Sequence, residues 1–537
     1  NECEFEGLVN DGDITYVGTT QTANVYISGI VGRNNDTNGQ NDFKVIKNCT
    51  NNGKLSTSKD SVSTESILLC GISGRIGAAE GAVCDKLINN GALTHNGTVK
   101  ALTIGGISGY LSVASFTNCK NTAALTVADN AKVDGSAMQI AGLNGAGLTA
   151  DTFENNSNSG KIYIGSKAIA GTKTHIAGLV TGKFVVGTFS GCTNTGDIEI
   201  KDATFESWLI MGGLSCAEDG GTTVDTFQNC SNSGNISIAD NAAMSGLHVA
   251  GCDGYELIVN TLMDNVDNSG NITVGNGIAF NGYANISGIA RSVSNYGEVK
   301  NCNNSGALSI GKCSNVKTGN GGRLYMAGLF YQALGGTFTD CVNEATGTIT
   351  AKTGDWASRH IIGGWASYFS YNSTKLTTLN HCEHKGDVTD IPAEGCAVES
   401  CEIGGFVGEP YSNVSGTADD PTFALNNSKN SGDVIIGGKW TTTNNPMVGG
   451  FIGVNNYDII EMSKCENSGN VTVTTVETAA PRVGGFAGHD TSNNYWKLTD
   501  CVNSGEIKVD GIVTGTSGYA VKLGGFFGIK DSGADVT

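Results

Sequence analysis

Apolar residues along this chain come in short alternating runs, not at helical spacing. In residues 226–254, TFQNCSNSGNISIADNAAMSGLHVAGCDG, Phe227, Cys230, Ile236 and Ile238 fall at strand-like intervals, and residues 248–252 form a further run. Asn232, Ser233 and Gly234 make the corner between the first two runs, because Asn and Gly tolerate positive φ. The pattern predicts three short strands in this stretch, reading TFxNC, xIxI and xIGGFxG.

The same phrases return through the whole chain. A corner close to C-x-N-S-G recurs fourteen times from Gly12 to Gly505, with Ala123 once in place of Gly, at a mean spacing of about 38 residues. A second phrase, aliphatic-Gly-Gly-aromatic/aliphatic-x-Gly, interleaves with it from Gly29 to Gly525. Two interleaved series at one period predict an all-β parallel solenoid of about 14 repeats, with residues 1–537 as one repeat domain or a section of a longer array. One three-stranded coil per repeat gives a rod roughly 65 to 70 Å long at about 4.8 Å per coil. A thinner winding with two coils per repeat stays open, since each half-repeat of about 18 to 20 residues is long enough for a coil of its own.

Cysteine placement refines the interior. Of 17 cysteines, nine (Cys49, Cys119, Cys192, Cys230, Cys302, Cys341, Cys382, Cys465 and Cys501) share one register position, where other repeats carry Leu8, Leu87, Asn156, Val266 and Ser428. A position shared mainly by Cys, Leu and Val points inward, so the expectation is a buried thiol ladder. Cys396 and Cys401 are the pair most able to bridge. The corner asparagines Asn51, Asn121, Asn158, Asn194, Asn232, Asn268, Asn304, Asn467 and Asn503 are expected to stack as a hydrogen-bonded ladder.

The formal net charge of −19 argues against nucleic acid or anionic membrane as a partner, because both are held mainly by Lys and Arg. No run of about 20 apolar residues is present to span a membrane. The sequence starts at Asn1 with no leader pattern, so any export signal is expected to lie outside it. No polar cap is visible at either end, which leads us to expect further chain or another subunit over the terminal coils.

Chemistry-bearing motifs are sparse. Residues 306–313, GALSIGKC, approach a phosphate-binding loop, but Cys313 stands where Ser or Thr is required. His381, Cys382, Glu383 and His384 offer metal-capable atoms, yet neighbours along a strand face opposite sides. In residues 33–42, Asp36, Asn38 and Asp42 form the best candidate for Ca2+, although their spacing departs from the EF-hand. Carboxylates are scattered among repeats without the groove of Asp, Glu and Arg that a polysaccharide-active β-helix enzyme needs, so no catalytic residue, metal site or cofactor is assigned. Possible ligand contacts are Trp356, Tyr368, Tyr371 and Trp440, of which Trp356 and Trp440 are expected in open loops and Trp365 in the interior.

The G-G-[IFL]-x-G phrase alternating with N-C-x-N-S-G resembles the GLUG-type repeats of bacterial surface and adhesin-like proteins. Residues 104–109, 448–453 and 483–488 are clear copies; Gly251-Cys252-Asp253-Gly254 and Gly288-Ile289-Ala290-Arg291 depart from it. The resemblance implies a secreted or cell-surface, structural or adhesive protein, a scaffold or filament component whose partners are other protein subunits or host glycans. A glycan-binding module of a nutrient-capture complex is the alternative, with a polysaccharide-active enzyme behind it.

Overall fold

In the computed structural model every described strand pairing is parallel and joins residues one repeat apart. The column Leu93, Leu125, Ile162, Ile198, Ile236 steps through five consecutive repeats in register. One repeat therefore makes one coil, and the two-coil winding is not what forms. The chain is a β-solenoid, 61% strand and 1% helix, with about 13 turns about 37 residues apart. The structure describes residues 3–33, 43–217, 222–295, 297–370, 376–411, 422–440, 445–456, 459–477, 479–491, 495–511, 513–514, 520–530 and 535–536. They fall into two compact units: Asn1–Asn260 with Ser269–Asn271, and Thr261–Asn268 with Ile272–Thr537.

A single coil shows why these residues form these strands. Thr98–Gly105 leads through the Gly-Gly phrase into Ser108–Thr117 and Lys120–Asn121, and the chain then passes the corner glycine position to Leu125–Val127 and Lys132–Val133. Buried and half-exposed residues alternate, as in the Leu125–Val127 strand. The three expected strand regions are present, with short strands in the variable loop between the second and third. Hydrogen bonding gathers them into two parallel sheets, one running from the Gly-Gly phrase to the corner Asn and one from the corner glycine to the next Gly-Gly. Apolar side chains stack inside, as in Phe116, Phe153 and Phe189 of the first unit, with centroids 5.2 and 4.7 Å apart. In the second unit the aromatic of the Gly-Gly phrase stacks through Trp365, Phe406, Phe451, Phe486 and Phe526. Interior residues of the outermost coils, among them Leu8, Ile14 and Leu523, are exposed.

The corner differs from the expectation. Its Asn and Gly are not the left-handed residues; the positive φ falls on the residue before the cysteine register position. That column reads Asn48, Lys86, Asn118, Asn155, Asn229, Asn265, Asn301, Asp340, His381, Asn427, Lys464 and Asp500, with Gly7 and Gly191. Asn and Asp dominate because a short polar side chain tolerates this conformation best. The bend explains the next residue, whose side chain turns inward and back toward the chain. The Cys230 thiol donates to the Gln228 carbonyl at 3.1 Å and the Cys119 thiol to the Thr117 carbonyl at 3.2 Å. Cysteine is favoured here as a small apolar group with a weak donor. The polar substitutes keep hydrogen bonds at the same place: Asn156 accepts from the Cys119 amide, and the Ser428 hydroxyl donates to the Asn426 carbonyl. The 16 cysteines whose side chains are described are free thiols, including Cys396 and Cys401, and all but Cys396 and Cys501 are buried.

The corner glycine is needed for space. A Cβ on Gly91 would lie 1.9 Å from the Gly53 carbonyl oxygen, and one on Gly160 equally close to that of Ala123. Nothing in the structure explains why Ala123 alone carries a methyl group at this position.

Candidate functional site

The two repeated phrases meet across the coil. A Cβ on Gly178 would stand 1.9 Å from the Gly213 carbonyl oxygen and 2.5 Å from Asn194 Cγ, and Gly106, Gly142 and Gly213 face Asn121, Asn158 and Asn232 in the same way. The bare Gly-Gly backbone is the lid over the asparagine ladder. In the first unit the ladder runs Asn10, Asn51, Asn89, Asn121, Asn158, Asn194, Asn232, each Nδ2 donating to the next Oδ1 at 2.7–2.8 Å. Apart from Asn89, each Nδ2 also donates to the corner carbonyl, as Asn194 does to Gly196 at 3.0 Å. In the second unit the ladder runs Asn268, Asn304, Asn343, then His384, and resumes from Asn430 to Asn467 and Asn503. His384 meets Asn343 through Nδ1 at 3.0 Å, while its Nε2 and Asn430 Oδ1 are buried without partners. Burial pushes the His384 imidazole down to about 3.

The sequence-predicted contacts are not brought to one surface. Trp356 and Trp440 are 1% and 0% exposed, so the expectation that they sit in open loops is wrong. Both belong to strands, Trp356–Gly363 and Val434–Trp440, and share a register column through Val398. Trp356 Nε1 donates to the Gly322 carbonyl at 2.7 Å, which satisfies its one polar atom inside. Trp365 is buried as expected. Tyr368 is half-buried, with its ring stacked between Tyr331 (6.2 Å) and Tyr411 (5.7 Å), so both faces are occupied. Tyr371 lies outside the described residues, as do Asp36, Asn38 and Asp42. His381 is exposed while Cys382 and His384 are buried; among the described residues no group of three His, Cys, Asp or Glu could hold a metal ion.

The second unit does gather a constellation that scattered sequence positions conceal. Tyr325, Ile361 and Glu402 share one register column, and Gln332, Tyr368 and Glu409 another, on the strands either side of the Gly-Gly corner. Arg359 Nη1 donates to Glu402 Oε1, Arg323 lies 3.6 Å from Glu409 Oε2, and Asn456 Nδ2 donates to Glu409 Oε1 at 2.9 Å. Glu402 Oε2 is buried with no hydrogen-bond partner. Burial, then the neighbouring Glu409, pushes the Glu402 carboxyl up to about 8 against the opposing pull of Arg359. The signal for this cluster is visible only once the repeats are aligned on their Gly-Gly pairs, which puts Arg359 four and Glu402 two positions before the pair and Glu409 four after it.

A second polar group sits in the interior. Asp390 accepts from His360 Nδ1 at 3.0 Å, and Thr353 Oγ1 is 3.4 Å from His360 Nε2. The order hydroxyl, imidazole, carboxylate is that of an activated nucleophile. All three are 0% exposed, so no substrate reaches the hydroxyl in this conformation.

No family model, curated protein or solved structure matches this chain. The ladders and the Glu402 cluster are held mainly by contacts between neighbouring coils. Exposed charges follow suit: Lys497 reaches Glu461 at 2.6 Å and Lys429 reaches Glu466 at 3.3 Å, each across one coil. Such exposed pairs contribute little, so the buried ladders dominate.

Proposed function

We propose that this protein is a secreted or cell-surface structural or adhesive protein, a GLUG-like solenoid scaffold that presents binding contacts from its outward faces and variable loops. The observation that supports it is the commitment of the polar and aromatic residues to coil-to-coil ladders, above all the asparagine column closed by glycine. That arrangement is suited to carrying a surface stably, and the acidic balance keeps it soluble outside a cell. Its partners are other protein subunits or glycans of an opposing surface.

Immunogold labelling of intact source cells, with a binding assay comparing cells that carry or lack the protein, tests this reading. Labelling on the outer surface and loss of attachment without the protein are expected. Label confined to the cell interior, or turnover of a polysaccharide by the purified protein, overturns it.

A further inference from the structure

The outer face of the first unit holds a pocket of about 260 Å3 that the ladders do not use. Its walls come from four successive coils. Arg75 pairs in register with Tyr110, the Leu111 amide donates to the Gly147 carbonyl at 3.0 Å, and the Leu148 amide donates to the Lys183 carbonyl at 3.1 Å. Arg75, Tyr110, Gly147 and Lys183 thus form one column, about 14 Å from first to last at the usual strand spacing. The Arg75 guanidinium lies 5.8 Å from the centre of the Tyr110 ring. Gly147 puts no side chain into the column, and a Cβ there would be 3.7 Å from Tyr110 Cδ1, so the pocket opens between the tyrosine and Lys183. Ser112, Thr149 and Val185 complete the rim, and no acidic residue lines it.

In a chain with 51 acidic and 32 basic residues, two cations beside an exposed aromatic run against the average. Among the described residues neither Arg75 nor Lys183 forms an ion pair, in contrast to Lys161 and Lys201, which both reach Glu199. Cations spaced along a column want a ligand with spaced anions; an aromatic, two hydroxyls and an apolar rim want a ring with both apolar and hydroxylated sides. We propose that this pocket binds an acidic polysaccharide, a chain of uronic acid residues laid along the coils. One sugar ring sits over Gly147 against Tyr110, and carboxylates of the chain meet Arg75 and Lys183. The inference rests on the surface reading above only for where such a polymer would be encountered.

Isothermal titration of the purified chain with polygalacturonate oligosaccharides, a neutral galactan of matched length and a single-stranded oligonucleotide tests it. Saturable binding of the uronate, weakening with added salt and at least tenfold tighter than either comparator, is expected. Lys183→Glu and Tyr110→Ala should each weaken it about tenfold or more, with unchanged circular dichroism; both positions are solvent-exposed, so folding is not the variable. Equal affinity for the neutral galactan, equal affinity for the oligonucleotide, indifference to both variants, or no binding overturns the proposal. No uronate binding together with attachment lost in cells lacking the protein would remove this pocket and leave the adhesive reading standing; uronate binding with attachment unchanged would do the reverse.

Discussion

Asn194 holds three partners at once: it accepts from Asn158 and donates to Asn232 and to the Gly196 carbonyl. Asn194→Ala leaves buried polar groups unpaired on both neighbouring coils, at about 1–3 kcal/mol each. We expect a loss of roughly 3–5 kcal/mol in denaturant unfolding, and a loss below 1 kcal/mol would show that the ladder is ornamental. His384→Asn is expected to work the other way. It supplies the donor that Asn430 Oδ1 lacks and should gain about 1 kcal/mol. The thiols give a third check at this scale. Cys70 and Cys84 are pushed up to about 12 by burial, whereas the half-exposed Cys501 is lowered to about 7 by its hydrogen bond with Cys465. Native alkylation followed by mass spectrometry should modify Cys501 and Cys396 first and leave the other described cysteines until denaturant is added. Early labelling of Cys230 would contradict the packing.

At the scale of the coil, the decisive element is the Gly-Gly lid on the asparagine column. Gly178→Ala forces a methyl group onto the Gly213 carbonyl and the Asn194 amide, both held by neighbouring coils. Overpacking against backbone typically costs about 1–3 kcal/mol or more, so we expect at least that loss, read as a fall in the urea midpoint. The recurrence of glycine was legible from the sequence; its reason was not. The corner phrase and the Gly-Gly phrase stand about 18 residues apart, and only the closed coil shows that one covers the other. The left-handed bend before each cysteine is visible as a column rich in Asn, Asp and Gly, but the stronger C-x-N-S-G signal beside it puts the left-handed residues three to five positions too late, as Asn229 against Asn232–Gly234 shows. Trp356 and Trp440 were misplaced because their flanking Gly, Thr and Asn residues read as loop, whereas pairing with neighbouring coils makes strand of both segments. The Arg359 and Glu402 contact joins residues 43 positions apart. No local pattern announces it.

For the molecule as a whole, two kinds of buried group tilt stability with pH in opposite directions. His95 and His384 are held down to about 4 and about 3 by burial, so they stay neutral in the fold while the unfolded chain takes up protons below about pH 6.5. Their contribution is complete above that pH and is lost as pH falls toward 3, by up to about 1.4 kcal/mol per unit for each group. Glu402 is raised to about 8, so the fold keeps a proton that the unfolded chain releases above about 4.5; that contribution is complete at low pH and is lost as pH rises toward 8. Urea unfolding at pH 5, 6.5 and 8 should therefore show a shallow maximum, with His384→Asn flattening the acid limb and Glu402→Gln the alkaline one. Curves that stay parallel to wild type would refute the assignment. The asparagine column carries one more consequence. Every amide hands its proton toward the later coil, so within each unit the column is a vector, with its dipoles added head to tail. Whole repeats are thus cassettes that can be deleted, duplicated or exchanged in the same orientation, whereas an inserted stretch that presents its amides backwards would set acceptor against acceptor and split the stack at that point.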